Sequence, residues 1–161
     1  MIRTLVTALS LAIAFPAFSH EFKAGDLHID HPVVFKAFAK ARAAGGYMSI
    51  TNTGDTSDLL IGVRSDVPRT MIHESREDDG VMRMIHLDAV EIAAGETVSF
   101  KPGGLHVMFM GLEPGDLLVG EEVGATLIFE RAGEVDVFFT VGERPADGKA
   151  FDHTEHQHNN S

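Results

Sequence analysis

From Asp26 to Val141 the chain is cut by turn-forming residues at intervals of about 8 to 12 residues, and the segments between them alternate apolar and polar side chains. That punctuation leaves room for short strands and little else. Asp26-Leu-His-Ile-Asp-His-Pro32 alternates and then meets a proline, and Tyr47-Met-Ser-Ile-Thr51 alternates and stops at Asn52-Thr-Gly-Asp55. Leu59 to Val63 reads as a buried strand. Asp78-Asp79-Gly80 is a tight turn before the strand Val81 to His86, and Ala94-Gly95 follows Val90-Glu-Ile92. Thr97 to Phe100 ends at Lys101-Pro-Gly-Gly104, where proline lacks a donor and the glycines permit positive φ. Glu113-Pro-Gly-Asp116 and Ala132-Gly133 then separate the strands Ala125 to Glu130 and Val135 to Val141. The pattern predicts an all-β Greek-key sandwich or barrel. One segment departs from it: Phe35 to Ala44 has helix-forming composition closed by Gly45-Gly46, which predicts a short helix.

The two ends of the chain have different compositions. Arg3, the uncharged run Leu5 to Phe15 and the small residues of Ala17-Phe18-Ser19 form a secretory leader over residues 1–19, with cleavage expected before His20. The run of about 11 apolar residues falls well short of the roughly 20 needed to span a bilayer, so export rather than membrane insertion is expected. Removing 19 of 161 residues leaves 142, one domain's worth, over residues 20–141 with a tail at 142–161. The tail has one large apolar residue, Phe151, and is expected to be mobile. Without Arg3 the chain carries 12 basic and 24 acidic residues, a balance that excludes nucleic acid as a partner and suits a cationic cargo. There is no cysteine, which excludes disulfides, thiol redox chemistry, thiolate zinc sites and blue-copper sites.

What remains for metal chemistry is His, Met and carboxylate. In Gly104-Leu-His-Val-Met-Phe-Met-Gly111 a period of two puts His106, Met108 and Met110 on one face of a strand and Leu105, Val107 and Phe109 on the other. In Met82-Arg-Met-Ile-His86 it gathers Met82, Met84 and His86 on one face. A single strand methionine is more often core filler than a ligand. Clustering of soft donors on one face, opposite a face already apolar, is what bland packing does not require. Thioethers bind Cu(I) and compete poorly for Zn(II), Ca(II) or Mg(II), so two imidazoles with two thioethers select Cu(I). Periodicity alone does not choose Met84 over Met82, nor set Met110 and His86 aside.

The spacing His73, ten residues, Met84, twenty-one residues, His106, one residue, Met108 is similar to the H-x10-M-x21-H-x-M signature of the PCu(A)C family. Asp79-Gly-Val-Met-Arg-Met84, Ile92-Ala-Ala-Gly95, Pro102 to Leu112, Ala24 to Leu27 and Gly46 to Asn52 also resemble family text, so the likeness spans roughly Phe22 to Val141. It implies a cupredoxin-like β-sandwich in the periplasm that binds one Cu(I) through His73, Met84, His106 and Met108. It further implies delivery to the CuA centre of cytochrome c oxidase, with subunit II or a Sco-type assembly factor as acceptor. Val33 and Ser75 depart from residues common in the family and touch none of the four positions.

His153, His156 and His158 in the acidic tail offer imidazoles for Cu(II), and family members with His- or Met-rich extensions imply the same. His20, as a new N-terminus, would add an α-amine and an imidazole. A carrier is expected to keep His106 and Met108 near an exposed edge, with Gly103 and Gly104 turning His106 toward solvent. Two other functions compete: a copper-buffering protein with no dedicated acceptor, and a copper oxidase built on His20 and His106. Thioether ligation favours the reduced ion and works against the oxidase, and no hydrolytic nucleophile motif is present.

Overall fold

The computed structural model describes residues 21–36 and 40–143. These form eleven strands: β1 (Glu21–Ala24), β2 (Leu27–Lys36), β3 (Ala43–Asn52), β4 (Asp58–Ser65), β5 (Arg69–Asp78), β6 (Val81–His86), β7 (Val90–Ile92), β8 (Thr97–Phe100), β9 (Leu105–Met110), β10 (Glu122–Phe129) and β11 (Gly133–Val141). Among the described residues there is no helix, and so none long and apolar enough to cross a membrane. The strands hydrogen-bond in the order β6-β5-β9-β3-β2-β11-β10-β4-β7, with β1 added to β2 and β8 to β3, in one curled sheet. All pairings are antiparallel except the short one between β2 and β11.

Alternation explains the curl. Along β3 every second residue from Ala44 to Asn52 is buried, and β2, β10 and β11 contribute Ile29, Val34, Leu127, Val137 and Phe139 to the same interior. Fully buried Phe109 and Phe139 meet edge to face, with ring centroids 5.4 Å apart. Gly46 makes room for them: a Cβ there would lie 2.7 Å from Phe109 Cε2 and 3.1 Å from Phe139 Cε1. The buried Asp58 carboxylate fixes the loop after β10 by accepting from the N–H groups of Leu59 (2.8 Å), Arg131 (2.9 Å) and Ala132 (2.9 Å). That is three charge-assisted bonds from one side chain.

The helix expected over Phe35 to Ala44 is not there. Phe35 and Lys36 end β2, Ala43 and Ala44 begin β3, and Phe35↔Gly45 and Lys36↔Ala44 are cross-strand partners. Residues 37–39 lie outside the description. Helix propensity is worth only tenths of a kcal/mol per residue and an isolated ten-residue helix is marginal in water, so antiparallel pairing and burial of Phe35 and Ala44 prevail. The leader, His20 and the tail histidines His153, His156 and His158 also lie outside the described residues. Gly142 is inside them, and its N–H donates to Val34 O at 3.0 Å.

Candidate metal centre

Strands β6, β5 and β9 lie side by side, and their register decides which side chains meet. A two-residue turn, Asp79 (φ 51°) and Gly80 (φ 76°), joins β5 to β6. Positive φ at both positions suits a type I′ hairpin and locks the pairing. In that register His73 faces His86, Ser75 faces Met84 and Glu77 faces Met82. On the other side of β5, His73 faces His106, Met71 faces Met108 and Arg69 faces Met110. Directly paired residues share a sheet face, so one face carries the row His86–His73–His106, with thioethers on its diagonals.

The imidazoles are close. The His73 ring centroid lies 6.0 Å from that of His106 and 5.7 Å from that of His86, both edge to face. His106 is only 5% exposed, and its Nδ1–H donates to Gly104 O at 3.0 Å. A carbonyl can only accept, so the neutral ring keeps its lone pair on Nε2. The Nδ1 atom of His73 is buried and has no hydrogen-bond partner. A buried unpartnered ring nitrogen beside a second imidazole leaves a donor atom available on this face. Burial, followed by the neighbouring His106, His86 and Arg69, holds His73 below the ordinary imidazole range. Its ring is therefore neutral at pH 7, free to donate a lone pair without first losing a proton. An unfolded imidazole takes its proton near pH 6.5, whereas the folded ring resists, so the unfolded chain binds more protons just below that pH. Metal-free stability therefore falls as pH drops through that window.

Register separates what periodicity left equal. Met84 and Met108 both sit one diagonal step from His73, on opposite sides of β5, whereas Met82 lies about 7 Å further along β6 beside Glu77. Met110 lies in the row of Arg69. The row of Met84 is cleared by small neighbours: Ser75 is its partner, and the Ser75 N–H donates to Gly104 O at 3.0 Å. Two charge pairs, Glu74–Arg76 (2.6 Å) and Asp78–Arg83 (3.5 Å), lie on the opposite face, while Arg69 and Glu77 stand at the two ends of the His73 row.

Exposure is distributed differently from the expectation. His106 does not face solvent, because β9 is an interior strand with β5 on one side and β3 on the other. Gly103 (φ 80°) turns the chain into β9, and Gly104 supplies the carbonyl that holds the His106 ring inward. Met84, 62% exposed on the edge strand, is the accessible thioether instead. Two neighbours escaped the sequence reading. Met71 shares the face of His73 by the same period-two rule and faces Met108. Tyr47 is visible only in three dimensions: its ring lies 6.5 Å from that of His106, and its hydroxyl sits 2.5 Å from where a Gly45 Cβ would be. Gly45 is the cross-strand partner of Met108, so the phenol walls the β3 side of the face.

Among the described residues no three His, Asp or Glu side chains are grouped to hold a metal. A centre on this face has to draw on thioethers as well as imidazoles. A curled all-β sheet with such a face defines a cupredoxin-like domain. Residues 24–141 match the family model described as "Putative lipoprotein LpqE-like", and the chain belongs to that family. The copper-bound PCuAC domain from PmoF2 is 30% identical with a TM-score of 0.64, over 77% of this chain and 98% of that one. The solution structure of CuI-DR1885 from Deinococcus radiodurans is 28% identical with a TM-score of 0.52, over 70% and 75%. A Leifsonia xyli subsp. xyli (strain CTCB07) protein named "Putative lipoprotein Lxx21020" is 32% identical over 101 residues. The chain spans 60% of the length of that curated relative.

Proposed function

We propose that the protein is a periplasmic copper carrier that binds one Cu(I) through His73, Met84, His106 and Met108 and releases it by ligand exchange. The observation that carries this reading is the face on which His73, with its buried unpartnered Nδ1, lies 6.0 Å from His106, with a thioether on each diagonal. Copper in the PmoF2 domain and Cu(I) in DR1885 support the choice of metal. Four neutral donors leave the bound ion with a net charge of +1, less costly to hold in a half-buried pocket than a dication.

The ligands divide the work of carrying. His106, buried and held by Gly104 O, fixes the inner end of the site. Met84, exposed on the edge strand, marks the side from which an acceptor approaches. No step requires oxidation, since thioethers favour the reduced ion throughout. Residues 1–19 serve as the export leader of domain 20–141, in keeping with the lipoprotein name of the relative. The tail at 142–161 offers His153, His156 and His158 as a separate Cu(II) site. The acceptor is a subunit II or Sco-type component of oxidase assembly.

A competition titration with a Cu(I) chelator at neutral pH should find one tight Cu(I) per chain. Affinity should decline as acid protonates the imidazoles. Absence of a tight site, or a site indifferent to acid, contradicts the reading.

A further inference from the structure

The four proposed ligands leave one imidazole of the row unused. His86 lies at the outer edge of the sheet, on β6, with its ring 5.7 Å from that of His73. Its local support copies that of His106. The His86 Nδ1–H donates to a backbone carbonyl, Ile72 O, at 3.1 Å, as the His106 Nδ1–H does to Gly104 O at 3.0 Å. In each neutral ring the lone pair is therefore fixed on Nε2. A backbone or carboxylate partner on the far nitrogen is the usual support of a metal-ligating imidazole, setting both tautomer and orientation. Packing does not call for it at a side chain 45% exposed. The two rings flank His73 symmetrically, one on the buried strand β9 and one on the open strand β6. Met84 is two residues from His86 on the same face and also diagonal to His73.

We infer that His86, with His73 and Met84, forms an outer Cu(I) station at the β6 edge, from which the ion leaves the protein. This rests on the carrier reading above. In the inner arrangement the ion is bound by His73, Met84, His106 and Met108. His73 and Met84 then stay bound while His86 Nε2 replaces His106 and Met108, giving a three-coordinate ion at the exposed edge. Two bonds break and one forms. The oxidation state does not change; the ring keeps its hydrogen on Nδ1, and in the charged ring a proton held between Nε2 and Asp88 Oδ1 passes to solvent as the ion takes the Nε2 lone pair. The acceptor's soft ligand enters the position left open. Asp88, whose Oδ1 lies 3.4 Å from His86 Nε2, is the local negative charge that favours the cation there. The inner site sets affinity and the outer one sets the rate of transfer.

The test follows the imidazole ring nitrogens by NMR in the uniformly 15N-labelled full chain, with and without one equivalent of Cu(I). Transfer to a bulky Cu(I) chelator is timed in parallel. In the Met108→Ala variant, which weakens the inner site, the Nε2 resonance of His86 should move on copper addition together with that of His73. In the His86→Ala variant the affinity should stay within about threefold of wild type while transfer slows by about tenfold. Shifts at His73 and His106 with none at His86 in either chain, or unchanged transfer in His86→Ala, overturn the outer station alone. No shift at any of the three rings overturns the carrier reading with it.

Discussion

Replacing Met84 and Met108 together by alanine is expected to lower Cu(I) affinity by up to about 10⁴-fold while leaving the fold in place. Loss of a group that merely orients a ligand costs 10- to 100-fold in metal affinity, so about 100-fold for each lost donor is a conservative figure. The two methionines lie on opposite diagonals of His73 and in this reading share one ion, so their effects couple and about 10⁴-fold is the ceiling reached if they multiply in full. Stability should respond differently. Met84 is 62% exposed, and truncating it should change unfolding free energy by less than about 0.5 kcal/mol. Met108 is half-buried beside Gly45 and should cost more. Met82→Ala is the matched control: a thioether of similar exposure on the same strand, beside Glu77 rather than Ser75, whose loss should leave affinity near wild type. Chelator competition and thermal melts on the three variants read both quantities. Retained affinity in the double variant, or an equal loss in Met82→Ala, contradicts the assignment.

The largest stability effect should come from behind the metal face. Phe109 alternates with Met108 and Met110 on β9 and points into the core, where it is 0% exposed and meets Phe139 edge to face. Phe109→Ala should cost about 3 to 5 kcal/mol, because the space it leaves is bounded by Gly46, which has no side chain to move in. Against the 5 to 15 kcal/mol that domains of this size generally possess, that is a large fraction. It should lower the melting temperature on the order of 10 to 20 °C. Copper affinity should fall as well, since β9 carries His106 and Met108 into the site. A cost under about 1 kcal/mol, read from denaturant unfolding, would mean that Phe109 is not the packing centre described.

Much of this architecture is legible in the residue string because turn chemistry is local. Asp78-Asp79-Gly80 and Lys101-Pro-Gly-Gly104 specify positive φ or a missing donor wherever they occur, and the strands between them follow. Val81 to His86 forms a strand with the bounds the turns predict. Phe35 to Ala44 shows the limit. Its helix propensity is also local, but Gly45 and Ala44 offer Phe35 and Lys36 cross-strand partners that no window of ten residues contains. The candidate site divides along the same line. Which faces carry His73, Met84, His106 and Met108 follows from a period of two, and so would Met71. That Met84 rather than Met82 adjoins His73 depends on the β5–β6 register. The burial of His106 depends on β3 and β5 flanking β9, and the place of Tyr47 depends on the missing side chain of Gly45. These are contacts between strands far apart in sequence, and no local pattern encodes them.

X-ray absorption at the copper edge of the chain loaded with one equivalent of Cu(I) tests the thioether–imidazole centre most directly. Two sulfur and two nitrogen scatterers around a reduced ion are expected, with sulfur lost when Met84 and Met108 are replaced. A shell of nitrogen and oxygen alone, or sulfur that survives both substitutions, would contradict it.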